Sequence, residues 1–146
     1  MIGDQLSITV RRIIRCRRER VFDAFAQADR LAQWFSPDKD ISVQVLAFEF
    51  EPGGEFRIRF DLPDGNHAAV SGHYEQIIPP EKLVFSWIWT PPYPDAGIET
   101  KVVIEFIDNI GQTEVVVTHK HLSSDESCAR HTDGWIGTLE RLGEWL

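Results

Sequence analysis

His119 and His121 flank Lys120 near the end of the stretch TEVVVTHKHL, and His131 follows in CARHTDGW. On a strand of period two, His119 and His121 share a face, and three imidazoles converging on a concavity would form a zinc or transition-metal site. No carboxylate that would orient such ligands is identifiable in the sequence. The same residues also read as one hydrogen-bonded cavity histidine, His119, with His121 and His131 at a solvent rim. Proton transfer is a second chemistry: a neutral His119 beside Tyr74, Trp87 and Trp89 would serve a cyclase or isomerase as acid or base. His73 and Glu75 alternate with Tyr74, so only one of these two sets faces inward. No Ser-His-Asp, Cys-His or paired-carboxylate arrangement stands out, and no glycine loop is shaped for phosphate. The third chemistry is non-covalent binding. Phe56, Ile58 and Phe60 share one strand face, Phe85, Trp87 and Trp89 another, Val102, Ile104 and Phe106 a third, and Val117 and His119 a fourth. With Tyr74 and with Trp135, Leu139 and Leu142 of the last helix, these faces would wall an apolar site of about 300–1,000 Å³. The five tryptophans and nine phenylalanines of the chain would equally well fill that space as a packed core.

The elements that position these residues follow from periodicity. Leu6, Ile8 and Val10 alternate with polar residues, the pattern of a half-buried strand. Val21, Phe22, Phe25, Leu31, Trp34 and Phe35 then recur at helical spacing, with a break expected at Ala28-Asp29 and a stop at Ser36-Pro37-Asp38. From Ile41 the chain reads as six strands: 41–50, 56–60, 67–78, 82–90, 99–107 and 113–121. Gly53-Gly54 supplies positive φ angles to one turn, and Pro79-Pro80 ends a strand because proline cannot donate to the ladder. Short turns between strands imply an antiparallel meander that buries one face. The cover is the C-terminal helix, capped by Ser123, Ser124 or Asp125. Trp135, Leu139, Leu142 and Leu146 form its apolar stripe, Trp145 lies off it, and Gly134 and Gly137 flank the tryptophan where the helix bends or lets the sheet approach. The loop TPPYPDAG, Thr90 to Gly97, forms the mouth and offers Tyr93 to a ligand or a protein.

Composition narrows the partners. The chain has 146 residues and a formal charge of −8, enough for a single domain, 1–146, with a sizeable core. The acidic balance argues against nucleic acid and against an anionic membrane surface. Arg11, Arg12, Arg15, Arg17, Arg18 and Arg20 form a local basic run, expected on solvated faces of the first strand and helix. The N-terminus MIGDQLSITVRR lacks the apolar run of a signal peptide, no stretch reaches the length of a membrane span, and Cys16 and Cys128 lack zinc or redox spacing. A cytoplasmic protein, monomeric or homodimeric and without a cofactor, is the expectation.

In chain order, VFDAF (Val21 to Phe25), LAQWFSP (Leu31 to Pro37), EPGGEFRI (Glu51 to Ile58), PPEKLVFSW (Pro79 to Trp87), TEVVVTH (Thr113 to His119) and Gly134-Trp135 with trailing leucines resemble one family. It is the activator of the heat-shock-protein-90 ATPase, C-terminal domain type, within the START-like (SRPBCC) superfamily. Cys16 stands where that family commonly has a small residue such as Ala. The resemblance implies an α+β helix-grip fold: a curved seven-stranded antiparallel sheet with two short helices and a long C-terminal helix on its concave face. It implies a hydrophobic or aromatic small-molecule ligand, a polyketide cyclase-like enzyme, or a chaperone partner, because members of the family differ in function. The eukaryotic cochaperones of the family carry a further N-terminal domain with no counterpart in the sequence, so activation of a chaperone ATPase is not implied.

Overall fold

A computed structural model describes residues 6–146. The expectation that the chain opens without a signal peptide falls partly on Met1–Gln5, outside the described residues. The elements are β1 (Leu6–Ile14), α1 (Arg18–Asp23), α2 (Ala28–Trp34), β2 (Ser42–Phe48), β3 (Glu55–Asp61), β4 (His67–Ile78), β5 (Lys82–Trp89), β6 (Thr100–Asn109), β7 (Gln112–Leu122) and α3 (Asp125–Trp145). The seven strands form one sheet in the order β1-β7-β6-β5-β4-β3-β2, antiparallel at every junction. β2 to β7 are the meander expected from the short turns. β1 closes on β7, so α1 and α2 carry the chain from one edge of the sheet to the other. The helix-grip architecture read from the sequence is the one observed, with a buried face of α3 covering the concave side.

Alternation sets what the concave face presents. In β3, Phe56, Ile58 and Phe60 point inward and pair with Gly72, Val70 and Ala68 of β4. A large side chain opposite a small one lets the Phe56 ring lie over Gly72, where a Cβ would meet it. At the other end of the pair, Ala68 leaves room beside Phe60. Below α1, Phe22 and Phe25 stand edge-on to Phe106, each with centroids 5.2 Å apart. Trp34 is buried against Phe25 and donates its indole N–H to the Ala24 carbonyl at 3.1 Å, which ties the end of α2 back to α1.

Four details differ from the sequence reading. The break between the early helices lies at Ala24–Gln27, and Ala28 opens α2 because Leu31 N–H already bonds the Gln27 carbonyl. β2 is shorter than 41–50 and its register slips between Val45 and Ala47. At the 53–54 turn only Gly53 has positive φ, +84°; Gly54 is needed because a Cβ there would strike the Glu49 carbonyl. His121 does not share the face of His119. β7 carries one extra residue relative to β1, where Leu6 pairs with Leu122 but Ile8 with His119. His121 takes up the bulge at φ +67° and turns to solvent, while Leu122 goes inward.

In α3, Ser124 is the N-cap, its Oγ accepting from Ser127 N–H at 3.0 Å, and Asp125 and Glu126 stand at the positive end of the helix dipole. Trp135, Leu139 and Leu142 are buried, and Trp145 is exposed. The two glycines beside Trp135 have separate reasons. A Cβ on Gly137 would collide with the carbonyl of Pro37, so what approaches here is the α2–β2 loop, not the sheet. A Cβ on Gly134 would meet nothing within 4 Å. Gly137→Ala is therefore expected to destabilise by about 1–3 kcal/mol through overpacking. Gly134→Ala should stabilise by about 0.5–1 kcal/mol by removing a mid-helix glycine. Urea midpoints of the two variants check both signs.

Candidate functional site

Where β4 and β5 run under the N-terminal half of α3, the sheet and helix part around a cavity of about 460 Å³. Its wall is aromatic: Phe35 from the end of α2, Phe60 from β3, Trp87 and Trp89 from β5, and Trp135 from α3. Tyr93 closes the mouth by lying flat on Trp89, centroids 3.9 Å apart and planes within 15°. Trp87 touches the rings around it edge-on or tilted, at 5.5 Å from Trp135 and 5.6 Å from Trp89, as ring quadrupoles favour. The rim is polar, with Asp38 after α2 and Arg130 and Asp133 on α3.

His119 beneath the aromatic wall and His131 in the cavity lining are both buried, each held by a tryptophan. The Trp135 indole donates to His119 Nδ1 at 3.1 Å, and an indole N–H only donates. His119 therefore carries its proton on Nε2 and gives it to Thr100 Oγ1 at 2.8 Å; Thr100 in turn donates to the Trp87 carbonyl at 2.7 Å. The Trp89 indole donates to His131 Nε2 at 3.0 Å. Its Nδ1 bears the proton and donates to the Ser127 carbonyl at 2.8 Å. Burial, aided by the neighbouring His131, lowers the His119 pKa to about 3. Burial also lowers that of His131, against the pull of its bond to Ser127. Both rings are neutral, with opposite tautomers, and every ring nitrogen is engaged.

Asp95 anchors the loop that carries Tyr93. It is buried and accepts from Ser123 Oγ at 3.2 Å, Ser127 Oγ at 3.0 Å and Arg130 Nη2 at 2.7 Å. Burial pushes this carboxyl up, but the three donors outweigh it and hold the group below the usual carboxylate range. The loop after β5 is thereby fastened to the first turns of α3.

Of the residues expected to form the site, Phe60, Trp87, Trp89 and Trp135 line the cavity. Phe56, Ile58, Tyr74 and Phe85 surround a second, much smaller void of about 20 Å³, where burial pushes the Tyr74 phenol pKa upward. Tyr74 is thus the inward residue of its stretch, and His73 and Glu75 are exposed. Val102, Ile104, Phe106, Val117, Leu139 and Leu142 are packed core away from the cavity surface, and His119 lies beneath that surface. His131, expected at a solvent rim, is buried and lines the cavity. With His121 turned outward, the three histidines do not converge; among the described residues no three His, Cys, Asp or Glu side chains do. Phe35, Pro37, Ile41, Leu62, Ala68 and Thr138 line the cavity without having been singled out. The available signal was LAQWFSP, whose terminal Phe-Ser-Pro sends the chain back toward α3.

The sequence profile of Activator of Hsp90 ATPase homolog 1-like proteins matches residues 15–146. The chain belongs to this family. Its fold recurs in solved structures. The AHSA1 protein from Silicibacter pomeroyi superposes with a TM-score of 0.83 at 23% identity, with 95% of this chain and 96% of that one covered. A protein from Chromobacterium violaceum superposes with 0.84 at 21%, covering 95% of each chain. DynU16, from the dynemicin biosynthetic locus, superposes with 0.77 at 20% identity, over 95% of this chain and 46% of that one. Among the curated proteins none matches the chain in sequence. At these identities the likeness is one of fold. Among the described residues no helix of this AHSA1-like chain is long and apolar enough to cross a membrane.

The two neutral histidines make the fold sensitive to acid. An imidazole with a native pKa below its unfolded value of 6.5 takes its proton first in the unfolded chain. The stability is therefore complete above pH 6.5 and falls as the pH drops, toward about 3 for His119, by about 1.4 kcal/mol per pH unit for each histidine. Urea titrations at several pH values should show this loss, and His119→Gln should be less stable at neutral pH but flatter in its pH dependence. Equal slopes in the two proteins would refute the assignment.

Proposed function

We propose that the chain is a single helix-grip domain that binds a small apolar or aromatic molecule between the sheet and α3. The cavity of about 460 Å³ with an aromatic wall and a polar rim carries this reading, since its size lies in the range of about 300–1,000 Å³ typical of small-ligand sites. A protein of the same fold, DynU16, belongs to a biosynthetic locus, which is in keeping with a small-molecule ligand. Free thiols at Cys16 and Cys128 suit a cytoplasmic location.

Catalysis through a cavity histidine has little support. His119 and His131 already use both ring nitrogens, so neither has a lone pair or proton free for a substrate. A chaperone contact through Tyr93 has less support than the sequence offered, because that ring is stacked on Trp89 and works as cavity rim.

A thermal-shift panel of apolar aromatic compounds tests the proposal. A ligand present at about a hundred times its Kd adds about 2.7 kcal/mol to the native state, a rise of several degrees in Tm. Gly134→Leu should fold, since leucine suits a helix interior, and lose the response, because its side chain grows from the cavity lining into open space. No shift with any compound, or an undiminished shift in Gly134→Leu, would defeat the proposal.

A further inference from the structure

All three helices pack on the concave side of the sheet, and among the described residues no layer covers the convex side. That uncovered side is apolar at its centre. Ile13, Ile78, Val84, Val103, Ile107 and Val116 project from it on five adjacent strands, and none of them belongs to the core. Beyond them, at the β6–β7 turn, Ile110 is 95% exposed and has φ +51°, a left-handed conformation that strains a β-branched residue. Exposure and strain both cost stability, and a contact outside the molecule is what would offset them.

Two charges mark where that contact lies. Lys82 and Glu105 are directly opposed on β5 and β6, yet among the described residues they form no ion pair, whereas Arg11 pairs with Glu114 at 3.8 Å and Lys101 with Glu75 at 2.9 Å. Beside them Val84 and Val103 are opposed in the same way. A two-fold axis along the β5–β6 junction exchanges these strands between two copies, so that Lys82 of each faces Glu105 of the other and Val84 faces Val103. The same operation exchanges β4 with β7. It brings Ile110 to the β4–β5 turn at Pro79-Pro80 of the second copy, because both turns lie at one end of the sheet, where Phe106 N–H bonds the Glu81 carbonyl. A patch complementary to itself is what an isologous dimer requires.

We infer that two copies of the chain dimerise through this convex face, with Lys82 and Glu105 pairing across the two-fold axis. The cavities then lie on the outer sides of the pair, and dimerisation leaves them open.

The mass of the wild type is followed by analytical ultracentrifugation from about 1 to about 300 µM, a range that covers weak and stable dimers. It should rise from one chain to two. Lys82→Glu and Glu105→Lys should each raise the dimer Kd by about a hundredfold or more, since two like-charge contacts replace two opposite ones. An equimolar mixture of the two variants should dimerise again, because each supplies the charge that the other lacks. Loss of fold cannot imitate that recovery. On the wild type itself, methyl resonances of Val103 and Ile110 should shift with concentration and that of Ile58 on the concave face should not, a readout that stands if either variant folds poorly. A wild type of one-chain mass throughout overturns the inference and leaves the face to a different protein. Dimers indifferent to both charge reversals, a mixture of folded variants that stays monomeric, or concentration-dependent shifts confined to other surfaces overturn it as well.

Discussion

The bond from the Trp135 indole to His119 Nδ1 sets the distance between α3 and the sheet. It is extended by His119 to Thr100 and by Thr100 to the Trp87 carbonyl, so a chain of buried donors and acceptors runs from the helix through β7 and β6 to β5. Each link fixes the tautomer or rotamer of the next, and in a low-dielectric interior any broken link leaves an unpaired polar group. Apolar contacts alone would permit α3 to settle onto the sheet in several ways. This chain permits one, and the cavity is the volume left where the helix, so held, stands clear of Ala68 and Phe60.

The second tryptophan–histidine pair does the corresponding work at the rim. Trp89 bonds His131, whose helix turn includes Ser127, and Ser127 and Arg130 hold Asp95. The loop after β5 is thus tied at Asp95 to the start of α3, and the last indole of β5 to the same helix turn. Charge is confined to this outer layer, and the wall within is aromatic, which separates a gripping surface from a wettable one.

Much of the fold was legible because it rests on local pattern. Alternation in EFRIRF and in TEVVVTH identifies strand faces without knowledge of their partners, and the stripe from Trp135 to Leu146 identifies the buried side of a helix. What escaped depends on pairing between distant residues. The outward turn of His121 follows from an extra residue in β7 relative to β1, which no reading of β7 alone reveals. The burial of His131 follows from Trp89, and its bond spans 42 positions. Residues such as Val117 and Leu142 were correctly placed inward, but inward covers both packed core and cavity wall. Which of the two applies is decided by the small Ala68 opposite Phe60 and by the return of the α2–β2 loop to α3.

The close approach of Gly137 to Pro37 leaves the cavity lining rigid at Pro37. At that point backbone meets backbone, and there is no side chain to rotate aside. At the mouth, Tyr93 is held to Trp89 by the contact of two flat faces, which tolerates sliding in its own plane. Guests of different breadth would therefore be accommodated asymmetrically, by a lateral shift of the tyrosine against an unyielding margin. The site has a preferred direction of give, like a caliper with one fixed jaw.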